Sequence, residues 1–251
     1  PRSRGLGDVY KRQEYKKTNF EMTLSEFKPI FMYEYLHRIL GRIIGIIFFI
    51  PLLYFTLRKA IPPVLIPRLY LLLILGGFQG VLGWYMVKSG LVDDPNVSQY
   101  RLTAHLGMAV FIYSLILWTV FDLSLNYNHA IRSRIKWMSS TLTLLIFLMI
   151  LSGGLVAGTR AGIPFPTWPL MGDTFIPPQI YSMNPSWLSA FEDMATIQFN
   201  HRMFAYLLTI FIVIFAIVLL RSNVPRFLKN GTTALLFVLS LQVALGISTL
   251  L

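Results

Sequence analysis

The sequence has no cysteine. That excludes a disulfide framework, a thiolate metal site and a cysteine nucleophile. Metal chemistry is left to four histidines, His37, His105, His129 and His201, or to carboxylates. Charge is scarce too. Asp, Glu, Lys and Arg make up 13% of the 251 residues, against about a quarter in soluble globular domains. Hydrophobic residues make up 55%, and the mean hydropathy is +0.61. This composition excludes an ordinary soluble domain. Acids are the scarcer sign, 11 against 22 bases, for a net charge of +11. The excess does not mark a nucleic-acid binder, because it falls in short stretches between apolar runs, the pattern of membrane topology. An initiator Met is also lacking. Residues 1–13, "PRSRGLGDVYKRQ", have no apolar periodicity, read as translated adaptor sequence and are set outside the fold reasoning. The chain stops inside an apolar run at Leu251, which reads as a fragment.

Six stretches are long enough to cross a bilayer, which takes about 20 apolar residues in a helix. They cover about 37–57, 68–87, 102–121, 137–157, 202–220 and 231–251. Backbone polar groups must be satisfied internally in lipid, so runs of this length predict helices. The expected fold class is an all-α polytopic membrane protein. Residues 14–36 form an outer-side segment, 37–121 a first bundle, 122–136 an inner linker and 137–251 a second bundle.

Loop charges predict the orientation. Arg58, Lys59 and Arg68 follow the first span, Arg132, Arg134 and Lys136 the third, and Arg221, Arg226 and Lys229 the fifth. Asp93, Asp94, Asp173, Glu192 and Asp193 lie in the alternate loops. The basic loops therefore face the cytoplasm or matrix. The first, third and fifth spans enter from the outer side, and His37, His105 and His201 stand within their first few residues. Three histidines are thus expected at one membrane depth. His129, in "NYNHAIRSR", reads as a solvated inner-loop residue.

An internal repeat is visible. His37-Arg38 matches His201-Arg202 at an offset of 164, and "QGVLG" (79–83) matches "QVALG" (242–246) at 163. Two matches at nearly one offset imply a duplicated bundle. The same offset carries His105 to about position 269, so a further helix with a fourth histidine is expected beyond Leu251. The fourth span has no counterpart before the first. The inferred parent has eight helices, six of them present here, in two pseudosymmetric four-helix bundles.

Two histidines on neighbouring helices at equal depth suit the two axial positions of a haem iron, and bundles place cofactors between facing helices. His37 would pair with His105, and His201 with the histidine downstream. Glu34 precedes His37 by three residues and shares its face if the helix begins early enough; a carboxylate there can move protons or orient substrate. Its counterpart in the second half is Gln198. An acid at one site and an amide at the other suggest a reactive site and an electron relay. Arg38, Arg42 and Arg202 suit haem propionates through two-pronged binding, or snorkel to the interface. Gly41 and Gly45, and Gly76, Gly77, Gly80 and Gly83, give small-residue faces for close helix packing. The segment "AGTRAGIPFPTWPLMGDTFIPP" reads as an ordered outer lid rather than a helix, because Pro164, Pro166 and Pro169 break helical bonding. Trp168 within it suits the membrane interface.

The pieces "EYKKTNFEMTLSEFKPIFMYEYLHRILGR", "VDDPNVSQYRLTAHLG", the proline-rich lid segment and "QFNHR" together resemble the haem A synthase family, in its mitochondrial and alphaproteobacterial-type form, from about Glu14 to Leu251. The resemblance implies eight transmembrane helices in two pseudosymmetric bundles. It implies oxidation of a methyl group of haem O to a formyl group, giving haem A for cytochrome oxidase. It places Glu34, His37 and His105 at the substrate-haem site and His201 at a haem b site. An electron donor, ferredoxin-like or quinol, is implied, and haem O synthase and oxidase assembly factors are candidate partners. The setting would be the mitochondrial inner membrane or a bacterial plasma membrane. Some members carry a cysteine pair in outer loops, which this sequence lacks. Two other readings stay open. A diheme membrane cytochrome fed by quinol accounts for the paired histidines but not for Glu34 against Gln198. A transporter accounts for the repeat, but transporters more often hold polar residues at mid-membrane.

Overall fold

The computed structural model describes residues 23–90, 97–125 and 131–251. His129, Asp93, Asp94 and the segment 1–13 lie outside the described residues. The described chain is helical: α1 (Leu24–Leu57), α2 (Ile66–Gly90), α3 (Gln99–Ser124), α4 (Ser133–Thr159), a short α5 (Ser189–Glu192), α6 (Met194–Leu220) and α7 (Arg226–Ser248). Among the described residues there is no strand, only an isolated bridge between Met171 and Thr174. All but α5 contain a span of 22 to 27 residues apolar enough to cross a membrane. At 1.5 Å per residue, 22 residues reach about 33 Å, enough for a hydrocarbon core of about 30 Å. These six agree with the six apolar runs. Large apolar side chains such as Ile46, Ile47 and Ile50 are exposed along them, as lipid-facing positions must be.

α1 begins 13 residues before the predicted span, at Leu24. Thr23 starts it with a capping box. The Glu26 amide donates to Thr23 Oγ1, and the Thr23 amide donates to Glu26 Oε2 at 2.7 Å. Pro29 and Pro51 lie inside the helix, each omitting one backbone bond. The early start matters for function, because it makes Glu34 and His37 residues of one helix, on one face.

The capping bonds hold the Glu26 carboxyl below its ordinary value of 4.5. A carboxyl lowered on folding stabilises fully above its unfolded value and loses that contribution as the pH falls through the lowered one. The first turn of α1 is therefore expected to fray on acidification below about pH 4. Glu26→Gln should remove this pH dependence, as read from amide protection of residues 24–28 at matched intrinsic exchange rates.

The chain divides into two compact units between Ser124 and Leu125. In the first, α2 packs against both α1 and α3, which make little direct contact with each other. Arg68 of α2 pairs with Asp122 of α3 at 2.7 Å. In the second, α6 is central and packs on α4, α5 and α7. Its core contains Ile135, Leu142, Leu208, Ile212, Phe215 and Leu219. α4 ends on Arg160 in the left-handed conformation, φ 56°, and no helix interrupts the chain from there until a short turn at Ser186–Leu188. The proline-rich segment is an ordered loop, as expected.

Candidate functional site

In the first unit, α1 carries Glu34, His37 and Arg38. The spacing of four lets Glu34 and Arg38 form an ion pair along the helix. His37 is exposed beside them. His105 is half-buried on α3. α1 and α3, which carry the two imidazoles, both pack on α2. Arg101, one turn before His105, stacks on the Tyr85 ring at 4.7 Å.

His105 is held from α2. Gln79 Nε2 donates to the His105 main-chain carbonyl at 3.1 Å and lies 3.4 Å from ring Nε2. Ring Nδ1 and Gln79 Oε1 are buried without a partner. A buried unpartnered nitrogen is costly in an apolar span unless something binds it.

In the second unit, His201 of α6 meets Ser152 of α4, with Nδ1 3.0 Å from Oγ. That contact occupies one ring nitrogen and leaves Nε2 for another ligand. Arg202 is buried. Its Nη1 donates to the Leu170 carbonyl and its Nη2 to the Phe165 carbonyl, both at 3.1 Å. Gln198 Nε2 donates to the same Phe165 carbonyl at 3.0 Å. The Tyr181 amide donates to Thr196 Oγ1, and Tyr181 Oη to Asn200 Oδ1, each at 3.0 Å. The proline-rich loop is thus tied along the first three turns of α6.

No cluster of three or more His, Asp or Glu side chains fit for a bare metal ion occurs among the described residues. Histidines set singly along helices instead fit a porphyrin iron. The macrocycle supplies four ligands and needs only axial imidazoles. His201 Nε2, which Ser152 leaves unengaged, and His37, exposed on α1, are imidazoles of that kind.

The chain matches the COX15-CtaA family, described as cytochrome oxidase assembly protein, over residues 7–251. It belongs to that family. It is 47% identical over 243 residues to a heme A synthase of Nitrosospira multiformis, covering 95% of this chain and 68% of the relative. It is 45% identical over 207 residues to one from Parvibaculum lavamentivorans, covering 82% and 60%. With one from Bradyrhizobium diazoefficiens it shares 41% identity over 247 residues, covering 97% and 68%. The chain thus spans about two thirds of the length of these relatives, or less. No solved structure matches.

In this COX15-CtaA chain, Glu34, His37 and Arg38 lie on α1 and His105 on α3, two helices that both pack on α2. In the second unit Arg202 is engaged with the outer loop, so only its remaining N–H groups are left for a propionate. Sequence reasoning missed the histidine holders Gln79, Gly83 and Ser152, and the Arg101–Tyr85 stack. The repeated "QGVLG" and "QVALG" was the available signal for Gln79 and Gly83, and the spacing of four in "RLTAH" for Arg101.

Proposed function

We propose that the chain is the catalytic body of a haem A synthase, oxidising the methyl group of haem O to the formyl group of haem A for cytochrome c oxidase. The observation that carries this reading is that Glu34 and His37 share one face of α1 while His105 stands on α3, both helices packing on α2. The names of the relatives support it.

Balanced against water, the methyl group and one water give the formyl group, four protons and four electrons. Side chains alone do not perform this oxidation, and the chemistry at the carbon is supplied by iron when haem is bound. The protein's part is positioning and proton movement. His37 and His105 would hold the substrate haem. Glu34 takes protons released at the methyl carbon, and Arg38 holds the Glu34 carboxylate at the helix face. The route runs through two hydroxylations to an aldehyde hydrate, which loses water. In the second unit His201 would hold a haem b, which would supply electron exchange with the ferredoxin-like or quinol partner. Haem O synthase is the natural source of substrate. The relatives named above are bacterial, which supports the plasma membrane as the setting. A haem with a long apolar tail is insoluble in water, so a site inside the bilayer suits it.

The test is the pigment content of the full-length protein, purified from cells that make haem O. Haem O and haem A alongside haem b are expected. Haem b alone would favour a diheme cytochrome, and no haem would favour a transporter.

A further inference from the structure

The second unit runs from Leu125 to Leu251. Its acids, Asp173, Glu192 and Asp193, all lie between α4 and α6. Its other end is wholly basic. α4 begins there among Arg132, Arg134 and Lys136, α6 ends there on Arg221, and α7 begins there with Arg226 and Lys229. These helix ends meet in one apolar cluster, where Ile131 and Ile135 pack with Leu219, Val224 and Leu228. The six cations surround the end of that cluster. Lys229 is half-buried and the other five are exposed. Among the described residues, none of the six pairs with an acid.

Directing membrane insertion does not require such an end. Acids contribute little to orientation, so a basic end can carry its own acid and still stay inside. The first unit does this, pairing Arg68 with Asp122 at 2.7 Å. Like charges gathered at one end of a bundle repel one another, and that cost falls when an anion settles among them.

The surroundings name the class of anion. Trp137, next to Lys136, is 73% exposed, and Phe227, next to Arg226, is exposed too. An exposed Trp marks the headgroup level of a bilayer. Leu144 and Val238, also exposed, continue the same helix faces about two and three turns deeper. A lipid-facing apolar surface therefore runs on from the cations. Four of the six are arginines, whose planar guanidinium binds phosphate through two parallel N–H bonds. A free phosphate would use only the cations. A phospholipid uses both parts, its phosphate at the cations and its acyl chains along the apolar faces.

We propose that this basic end of the second unit binds the headgroup of an anionic phospholipid. The lipid is the counter-ion of α4, α6 and α7 and ties their ends together. Basic clusters at the inner ends of membrane helices suit such headgroups. The proposal is independent of the haem chemistry above.

The experiment titrates phosphatidylglycerol or phosphatidylcholine into the full-length protein in detergent and counts bound lipid by native mass spectrometry. Wild type should prefer phosphatidylglycerol. Each cation at an anionic lipid surface contributes about a fivefold factor, so Arg134→Gln with Arg226→Gln should weaken phosphatidylglycerol about 25-fold. Arg58→Gln with Lys59→Asn removes the same charge from the first unit and should leave that binding unchanged. Asn suits position 59, where φ is 52°. Raised salt should erase the preference in wild type. Equal binding of the two lipids to wild type, or equal loss in the two double variants, overturns the proposal. So does displacement of phosphatidylglycerol by an equal concentration of inorganic phosphate, which would make this a free-anion site. If Arg134→Gln with Arg226→Gln does not fold, wild type decides, and a preference that persists at high salt overturns the lipid site.

Discussion

Replacing Glu34 by alanine in the full-length protein is expected to cut haem A output by about 10²- to 10⁴-fold, the range for loss of a positioned acid or base. Haem O or its hydroxylated product should accumulate in its place. The expectation comes from placement. Glu34 lies three residues before His37 on α1, on the same face, and it is the acid nearest in sequence to the histidine pair. Oxidising the methyl group releases protons beside that pair, and a carboxylate is the group that can accept them. Glu34→Gln, which keeps size and hydrogen bonding but not basicity, should be nearly as damaging as alanine. Arg38→Ala should cost less, because it loosens the carboxylate without removing it. Haem O should still bind in the Glu34 variants, since the imidazoles hold the iron. Loss of His37 or His105 should instead remove bound haem O. This split between turnover and retention separates a proton-transfer role from a ligand role. Wild-type haem A output from Glu34→Ala would end the claim.

The second large effect belongs to the proline-rich loop. Arg202→Met is expected to open the segment between Ile163 and Gln179 to proteolysis and fast amide exchange. Two bonds from the buried guanidinium to the Leu170 and Phe165 carbonyls are lost. Hydrogen bonds from a charged donor contribute about 1.5–3 kcal/mol each, so loop opening should rise about 10²- to 10⁴-fold. Gln198→Glu is the sharper variant. Phe165 O accepts from both Gln198 and Arg202. A carboxylate at 198 has no proton to give and would face a carbonyl. In the first unit the matching position, Glu34, tolerates an acid because Arg38 turns along the helix to meet it. The Glu34/Gln198 difference thus has a structural component besides the functional one. Position 198 needs a donor to anchor the loop, and position 34 does not. Loop protection equal to wild type in Gln198→Glu would contradict this account.

The helices were readable to different degrees. Six spans stood out because each is a long run of apolar residues. The start of α1 did not, because residues 24–36 mix Ser25, Glu26, Lys28, Pro29 and Glu34 among apolar positions. The Thr23–Glu26 capping box, a purely local signal, marks the true start. The histidines were found by position, since three of them stand at the mouths of spans and two are related by a repeat. The residues that hold them were not. Gln79 and His105 are 26 positions apart, Ser152 and His201 are 49 apart, and nothing in either local pattern links them. The partners of Arg202 were also out of reach, because they are main-chain carbonyls, and any residue type presents one.

Crossing the membrane was decided by the sequence by itself. Transfer of about 20 consecutive residues into lipid is a sum over one segment, and it needs no knowledge of neighbours. The repeat and the histidine positions were likewise written along the chain. Which face of each helix turns inward was decided only in the tertiary structure. A helix advances 100° per residue, so a small rotation about its axis exchanges one set of neighbours for another. Side-chain packing sets that rotation. It puts Gln79 and Gly83 against the His105 ring, sets His201 against Ser152, and turns Gln198 and Arg202 onto the proline-rich loop.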